Sequence, residues 1–391
     1  MRIPKVALLL ESSRAAGRAL LKGVADYVHH HGDWSFYWEP GGLERAWPKL
    51  KSLDLQGIIL RDVGKLEEVL AFGVPAVVVG HSRAEVPGLV NVVTDSATIG
   101  RLGAEHLLGC GFEHFAYCGT RSAPGEHTSW STLREESFCQ RLDEAGRLCH
   151  TYATASAGQR SWHQERHAMI RWLRSLARPC GLMACNDDVG KEVIEACKLG
   201  GLAVPDDLAV IGADNDELVC GLSDPPMSSV AINFERAGYE AAGVLDRLMG
   251  GAKRVPSRII VRASYVGPRR STDILAVEDA SLARALRFIR DHARQHISVN
   301  AAAGAAGLSR RALEKRFRTL LNHSALDEIR RVRTDQIARL LVETELPVAT
   351  MAEVLGFGDA QHVARYFRAV KGQTPLAYRK THGRRHAGGE D

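Results

Sequence analysis

A short turn-and-helix unit occurs twice near the end of the chain, and it constrains the fold more than any other feature. The second copy runs from Gly356 to Arg379. Val348, Ala352 and Leu355 set a helical period ahead of it. Gly356 takes the turn at no steric cost, and Asp359 is expected to cap the next helix by accepting orphan amide hydrogens of its first turn. Val363, Phe367 and Val370 recur at helical spacing and are expected to face inward. Gln361, Arg365 and Arg368 fall on another face, at i, i+4 and i+7. In the first copy Gly307, Leu308 and Ser309 supply turn and cap before RRALEKRFR. With Ser309 set against Asp359, 50 positions apart, Leu313 meets Val363, Lys315 meets Arg365, Phe317 meets Phe367 and Arg318 meets Arg368. Two ordinary amphipathic helices would each show a solvated charged face. They would not repeat turn, cap, core and basic face together, so the pattern predicts two helix-turn-helix units.

The charge agrees. Of 51 basic and 46 acidic residues, 20 and 11 lie from Ser281 onward, leaving 31 and 35 before it. The mild overall charge of +5 thus hides a basic end and a slightly acidic remainder. A basic surface that coincides with paired helix-turn-helix units is the electrostatic footprint of a nucleic-acid binder.

With GF at 356–357, FR at 367–368, G372, TP at 374–375 and YR at 378–379, the segment from about Ser281 to Lys380 resembles the AraC-type DNA-binding domain. Arg368 stands where that signature usually has Lys, and Ala364 and Tyr366 flank Arg365. The resemblance implies seven helices, two reading helices in successive major grooves, and a connecting helix over about Ala325 to Glu343. Ile329, Val332, Ile337, Leu340 and Leu341 would face inward on that connector. It also implies that Arg311, Glu314 and Lys315 address base edges on the first reading helix, with Arg310 and Arg318 on phosphates. On the second, Gln361, His362 and Arg365 are the candidates for bases and Arg368 for phosphate. Arg and Lys suit guanine O6/N7, Gln suits adenine, and Glu accepts from cytosine N4.

The first two-thirds of the chain read differently. KVALLL (5–10), GIIL (57–60), PAVVVG (75–80) and VNVVTD (90–95) are short apolar runs, and WSFYWE at 34–39 reads as a further strand. Helical stretches at Gly17–His30, Arg45–Leu53, Leu66–Ala71 and about Ser96–Gly109 separate or follow them. FAYCG (115–119), CGLMACND (180–187), LAVIGADN (208–215) and RIIVRASYV (258–266) begin and continue a second series. Its helices fall at about Thr132–Glu144, Val189–Lys198 and Arg236–Met249. The alternation predicts two doubly wound α/β lobes, with ligand bound in the cleft outside the carboxyl ends of the strands. Those ends are polar: Glu11–Arg14, Arg61 and Asp62, Asn186 and Asp187, Asp214 and Asn215. Carboxylates, amides and arginines suit a ligand rich in hydroxyls. Asp and Asn favour strand-end turns in any case, so the set carries the inference and no single residue does.

VNVVTDSATIGRLGAEHLLGCGFEHFAYCG, LREESF, CNDDVG and VPDDLAVIGADNDE resemble the effector domains of LacI/GalR-type regulators, over about Lys5 to Val266. In LREESF, Arg134 and Phe138 are in place while Glu136 and Ser137 replace small residues. No headpiece of that family is expected, because the first strand starts at residue 5. The resemblance implies a sugar effector bound by Arg134, Asp187 and Asp214, with contacts near Ser13 and Arg14; Arg61 is a departure that bears on ligand choice. The fold class expected is a type I, periplasmic-binding-protein-like α/β domain of two lobes over 1–267, joined to an all-α domain with two helix-turn-helix motifs over 281–391. Residues 268–280 lack a clear period and are expected to be the linker. VIGADNDEL, MSSV (227–230) and RRSTD (269–273) are similar to sugar-operon regulators of this joint build. That implies an activator of a pentose (D-xylose) utilisation operon, acting as a homodimer on double-stranded DNA and contacting RNA polymerase.

An enzyme is the rival class. Asp187, Asp188, Asp214 and Asp216 would serve acid–base work or Mg²⁺, but there is no P-loop, GxSxG or HExxH pattern. The run His29–His31 is expected to be solvated at a helix end. The eight cysteines lack CxxC and Cys/His zinc spacings, so reduced buried thiols and no metal or cofactor are expected. VALLL is too short for a signal-peptide core and no apolar run reaches membrane-spanning length, which leads to a cytoplasmic expectation and against a periplasmic sugar carrier.

Overall fold

The computed structural model describes residues 3–40, 49–50, 52–61, 66–80, 85–121, 130–154, 161–273, 279–321 and 323–383. The chain builds most of one lobe first: β1 (Lys5–Leu9), α1 (Ala15–His31), β2 (Ser35–Trp38), β3 (Gly57–Arg61), α2 (Leu66–Leu70), β4 (Ala76–Val79) and β5 (Val90–Thr94). It then crosses into the second through α3 (Ser96–Gly109), β6 (His114–Thr120), α4 (Trp130–Asp143), β7 (Cys149–Thr154) and α5 (Trp162–Ser175). That lobe continues through β8 (Cys180–Ala184), α6 (Asp187–Gly200), β9 (Leu208–Asp214), α7 (Glu217–Leu222) and β10 (Ser228–Ile232). α8 (Phe234–Met249) and β11 (Arg258–Val261) return to lobe one, and β12 (Ala263–Gly267) crosses again to lobe two.

The sheet of lobe one has the order β11-β5-β4-β3-β1-β2, parallel throughout. That of lobe two is β12-β10-β9-β8-β6-β7, parallel except for the antiparallel β10–β12 pair. Central strands such as β4 and β8 are buried at every position, as parallel strands covered by helices on both faces must be. Three crossings, near Asp95, Asn233 and Arg262, join the lobes.

α1 and α8 cross so closely that glycine is required at the contact. A Cβ on Gly23 would lie 1.8 Å from the carbonyl oxygen of Glu235, and one on Gly238 would lie 2.0 Å from that of Leu20. Backbone blocks both positions, so no side-chain rotation relieves them.

Seven helices follow among the described residues: α9 (Ala280–Asp291), α10 (Val299–Ala306), α11 (Arg310–Leu321), α12 (Ala325–Glu343), α13 (Val348–Val354), α14 (Ala360–Lys371) and α15 (Pro375–His382). They form two small cores that share α12. Leu282, Leu286, Phe317 and Ile329 belong to one, and Ile337, Leu341, Met351, Phe367 and Tyr378 to the other. The effector lobes and this domain touch: Tyr378 Oη donates to Ser264 O at 2.5 Å, Tyr265 pairs its hydroxyl with Glu343, and Arg290 Nη2 donates to Gly109 O at 3.2 Å.

Several expectations need correction. Val370 is 40% exposed, because the inward stripe of α14 ends at Phe367. The segment after β12 is docked rather than loose: Arg270–Thr272 form a single 3-10 turn, Ser271 Oγ donates to Val210 O at 2.5 Å, and Thr272 Oγ1 lies 2.8 Å from His106 Nε2. His29, His30 and His31 are exposed in the last turn of α1 as expected, with His31 also 2.8 Å from Tyr239 Oη and stacked on Tyr27. β7, α5 and α7 were not expected. The helix expected over Arg45–Leu53 lies mostly outside the described residues.

The glycine contact yields a stability prediction. Gly23→Ala forces α1 and α8 apart and should cost on the order of 1–3 kcal/mol, read as a lower denaturation midpoint. An unchanged midpoint would mean that the helices do not cross this closely in solution.

Candidate ligand cleft and DNA interface

A cleft of about 470 Å³ opens between the lobes at the carboxyl ends of their strands. Lobe one contributes Glu11, Arg14, Arg61 and Thr94, and lobe two contributes Trp130, Arg134, Asn186, Asp187, Asp188 and Asp214. Polar contacts span the lobes, among them a 3.7 Å ion pair between Arg18 Nη2 and Asp216 Oδ2. Arg14 Nε donates to Asp188 Oδ2 at 2.8 Å, and the amide of Ala15 donates to Asp216 Oδ2 at 2.7 Å. The Ala15 contact places the first turn of α1 against a carboxylate, where its unpaired amides are best satisfied.

Arg134 is the most constrained group on the wall. It is 3% exposed, donates through Nη1 to the carbonyl of Cys185, and holds Nη2 3.8 Å from Asp214 Oδ1. Its guanidinium lies 4.6 Å from the centre of the Trp130 ring, and its Nε has no partner among the described residues. Asp214 ends β9 in an unusual backbone state, φ 111°. Burial pushes its carboxyl up to about 6, against the pull of Arg134 and Arg61. Asp187 lines the cleft but spends its oxygens inside lobe two. Oδ1 accepts from Ser229 Oγ at 2.5 Å and Oδ2 from the amide of Asp216 at 2.7 Å. Burial first, then Asp214, drives its carboxyl well above the usual range.

The other expected ligand residues divide. Asn186 lines the cleft while its side chain caps α6 by accepting from Val189 N at 3.0 Å. Arg61 lies on the wall with Nη1 3.8 Å from Glu11 Oε2. Two residues fall off the wall. Ser13 turns its hydroxyl to Glu11, and Asn215 turns away to accept from Arg269 Nη2 at 2.8 Å. A strand end fixes where the backbone stops, not where the next side chain points. Asp62 lies outside the described residues. The sequence reading missed Trp130, although it sits four residues before Arg134 on one helix face, where i,i+4 spacing brings side chains together.

The DNA side repeats its geometry as expected. Gly307 and Gly356 both take left-handed turns, φ 68° and 64°. Ser309 Oγ accepts from Ala312 N at 3.2 Å and Asp359 Oδ1 from His362 N at 2.6 Å. Leu313 and Phe317 of α11, and Val363 and Phe367 of α14, are buried. On the outer faces Arg310, Arg311, Lys315 and Arg318, and Gln361, His362, Arg365 and Arg368, are exposed. None of those six arginine and lysine side chains on positions 310, 311, 315, 318, 365 and 368 makes an ion pair among the described residues. Arg316, on the inner side of α11, does pair with Asp279 at 2.5 Å. Glu314 stands apart from the other residues expected to read DNA: it is half-buried, and its Oε2 accepts from Ala325 N at 3.4 Å, at the start of α12. Arg333, missed in the sequence, is buried beneath the second turn, donates to Leu355 O, and lies 3.9 Å from the centre of the Phe357 ring.

Two lobes around a polar cleft, followed by paired helix-turn-helix units with free basic faces, define a DNA-binding transcription regulator with an effector domain of the sugar-sensing type. A periplasmic binding protein-like domain matches residues 104–272, and a helix-turn-helix domain matches residues 302–381. The chain carries both parts and is similar to xylose operon regulatory proteins along nearly its whole length. It is 29% identical to that of Escherichia coli (strain K12) over 381 residues, 96% of each chain. It is 27% identical to that of Haemophilus influenzae, over 96% of this chain and 98% of the other. The solved structure of a xylose-binding transcription activator superposes with a TM-score of 0.62 at 28% identity, over 98% of this chain and 99% of that one.

The carboxyl of Asp214 makes the cleft testable by pH. If its ionised form accepts a ligand hydroxyl, affinity is full above about pH 6 and falls up to roughly tenfold per unit below it, as protons compete. Titration calorimetry from pH 5 to 8 should show that fall in the wild type and none in Asp214→Asn. Asp214→Ala or Arg134→Ala should each cost on the order of 1.5–3 kcal/mol, roughly 10- to 150-fold in affinity.

Proposed function

We propose that the chain activates a pentose utilisation operon in response to D-xylose, bound between the lobes by Arg134 and Asp214 with Arg14, Asn186 and Asp187 beside them. The observation that carries this reading is the cleft itself: a buried guanidinium and a carboxylate 3.8 Å apart, beside the Trp130 ring, in a chain similar end to end to xylose operon regulators. An aromatic face beside charged hydrogen-bonding groups suits a sugar, which has apolar C–H faces and a hydroxyl rim. In this reading the protein works in the cytoplasm as a homodimer, reads DNA with α11 and α14, meets RNA polymerase, and catalyses no reaction. Asp187, Asp188, Asp214 and Asp216 are engaged with Ser229, Arg14, Arg134 and the turn of α1, which suits binding better than proton transfer. The effector domain is taken as 1–267, with 268–273 docked on it, and the DNA-binding domain as 281–391.

A sugar acid is the second reading, favoured by Arg14, Arg61 and Arg121 on the wall. Arg14 and Arg61 already face Asp188 and Glu11, which leaves the neutral sugar ahead. A thermal-shift screen of pentoses, hexoses and D-xylonate decides between them.

On DNA, Arg311 and Arg365 are the proposed base readers, joined by Lys315, Gln361 and His362; Arg310, Arg318 and Arg368 hold phosphates. Glu314, turned toward α12, is the weakest of the proposed readers. Arg311→Ala and Arg365→Ala should each cost about 1–3 kcal/mol on the cognate site and little on random DNA. Footprinting with binding-site selection should place the two read segments about 10–10.5 base pairs apart. Wild-type sequence preference in both variants, with only overall affinity lost, would make both residues backbone contacts.

A further inference from the structure

The turn that presents Asp214 is strained, and one of the groups holding it comes from the segment that leads into the DNA-binding domain. Asp214 and Asn215 take φ 111° and 54°, the only non-glycine residues at positive φ among those described. Such a pair persists only where its surroundings over-determine it. Three contacts do so. The amide of Asp216 donates to Asp187 Oδ2 at 2.7 Å, the amide of Asn215 donates to Ser229 Oγ at 3.0 Å, and Arg269 Nη2 donates to Asn215 Oδ1 at 2.8 Å. Asp187 and Ser229 belong to the floor of lobe two. Arg269 follows β12 on the way to α9. Its own frame is fixed, with its amide donating to Ser228 Oγ at 2.7 Å and Nη1 to Met227 O at 3.0 Å. It also lines a crevice of about 330 Å³ faced by Asp335 and Arg339 of α12.

We propose that Arg269 is a positioning residue for the ligand cleft: it holds Asn215, and through it Asp214, in ligand-ready geometry, and ties that turn to the segment entering the DNA-binding domain. This rests on the reading of the cleft given above. Arginine suits the task because its planar fork serves the Met227 carbonyl and the Asn215 amide oxygen from different nitrogens at once, which lysine does not. A first-row carboxylate aims well only if the row behind it is locked. Through linkage, a ligand that orders the turn also orders this segment, and a shift of the segment changes ligand affinity by the same factor.

The test uses the full chain with Arg269→Gln, Asn215→Gly and the double variant. In ligand-free protein, hydrogen exchange at the Asn215 and Asp216 amides should speed at least about tenfold in each single variant, because both amides lose a fixed acceptor geometry. D-xylose affinity by calorimetry should fall about tenfold in each, and the double variant should fall no further than Asn215→Gly alone, since both changes remove one contact. Unchanged exchange in Arg269→Gln, or losses that multiply in the double variant, overturns the proposal. If Arg269→Gln does not fold, Asn215→Gly decides: wild-type exchange and affinity with Arg269 intact overturn it equally. A wild-type chain that gives no heat with D-xylose refutes the choice of sugar, while the exchange measurement still decides the role of Arg269.

Discussion

The recognition side of the cleft depends on one buried carboxylate. Asp187 is 2% exposed, and its oxygens gather the hydroxyl of Ser229, the amide of Asp216 and the thiol of Cys220 at 3.5 Å. Strand β9 passes so near that a Cβ on Gly212 would sit 2.3 Å from Asp187 Oδ1. The glycine of VIGAD is therefore a packing requirement of the carboxylate behind it. Burying such a group is costly unless its partners are complete, and removing any one leaves the rest unpaired. That cost is the reason for a stiff site: donors from β10 and from the start of α7 fix Asp187, and the amide of Asp216 ties the turn that presents Asp214 to it.

Stiffness on one side gives ligand binding a mechanical meaning on the other. The lobes meet through Arg14–Asp188 and through the first turn of α1 on Asp216, next to the turn that carries Asp214. Of the crossings between the lobes, the one near Arg262 continues directly into β12, whose Ser264 and Tyr265 contact Tyr378 and Glu343. These contacts are where a change in lobe closure would reach the far end of α12 and α15. A ligand shifts that arrangement only by its differential affinity for the two lobe positions. Contacts from both lobes around one cleft are what such a difference requires.

Local chemistry was legible in the sequence and direction was not. Turn glycine, cap and basic face are set within one or two turns of helix, so Gly307, Ser309, Gly356 and Asp359 take their expected roles. The span of α12 and its inward Ile329, Ile337 and Leu341 were likewise readable, from the resemblance. Arg134 and Asp214, which the effector-domain resemblance pointed to as ligand residues, lie 3.8 Å apart on the cleft wall. Asn215 and Ser13 did not follow, because neighbouring residues at a strand end diverge once the backbone leaves the pleat. Strand β7 escaped notice because it is an edge strand with no fully buried position, so it lacks the apolar run that marks its neighbours. The contacts of Arg333 and Arg269 were invisible for another reason. Their partners are backbone or side-chain groups 22 and 54 positions away, and no local pattern encodes such a contact.

In the proposed reading, the connecting helix is what makes the two reading helices act as one. α12 has 19 residues, so its axis is roughly 28 Å long. Successive major grooves on one face of DNA lie about 34–36 Å apart. The first unit meets α12 at its start, through Glu314 and Ala325 N, and the second is pinned from its middle by Arg333 on Leu355 O, with Lys371 on Asp335 at 3.0 Å. Each reading helix packs outside the connector, which adds part of a helix diameter to their separation. Both units are thereby seated on one continuous helix. Glu314 thereby gains a structural task that competes with base reading, because a carboxylate at a helix N-terminus is held there by the dipole and the free amides. In the proposed reading, the packing of both units on α12 sets the spacing of the two read segments, and the exposed cations of α11 and α14 supply the contacts to DNA.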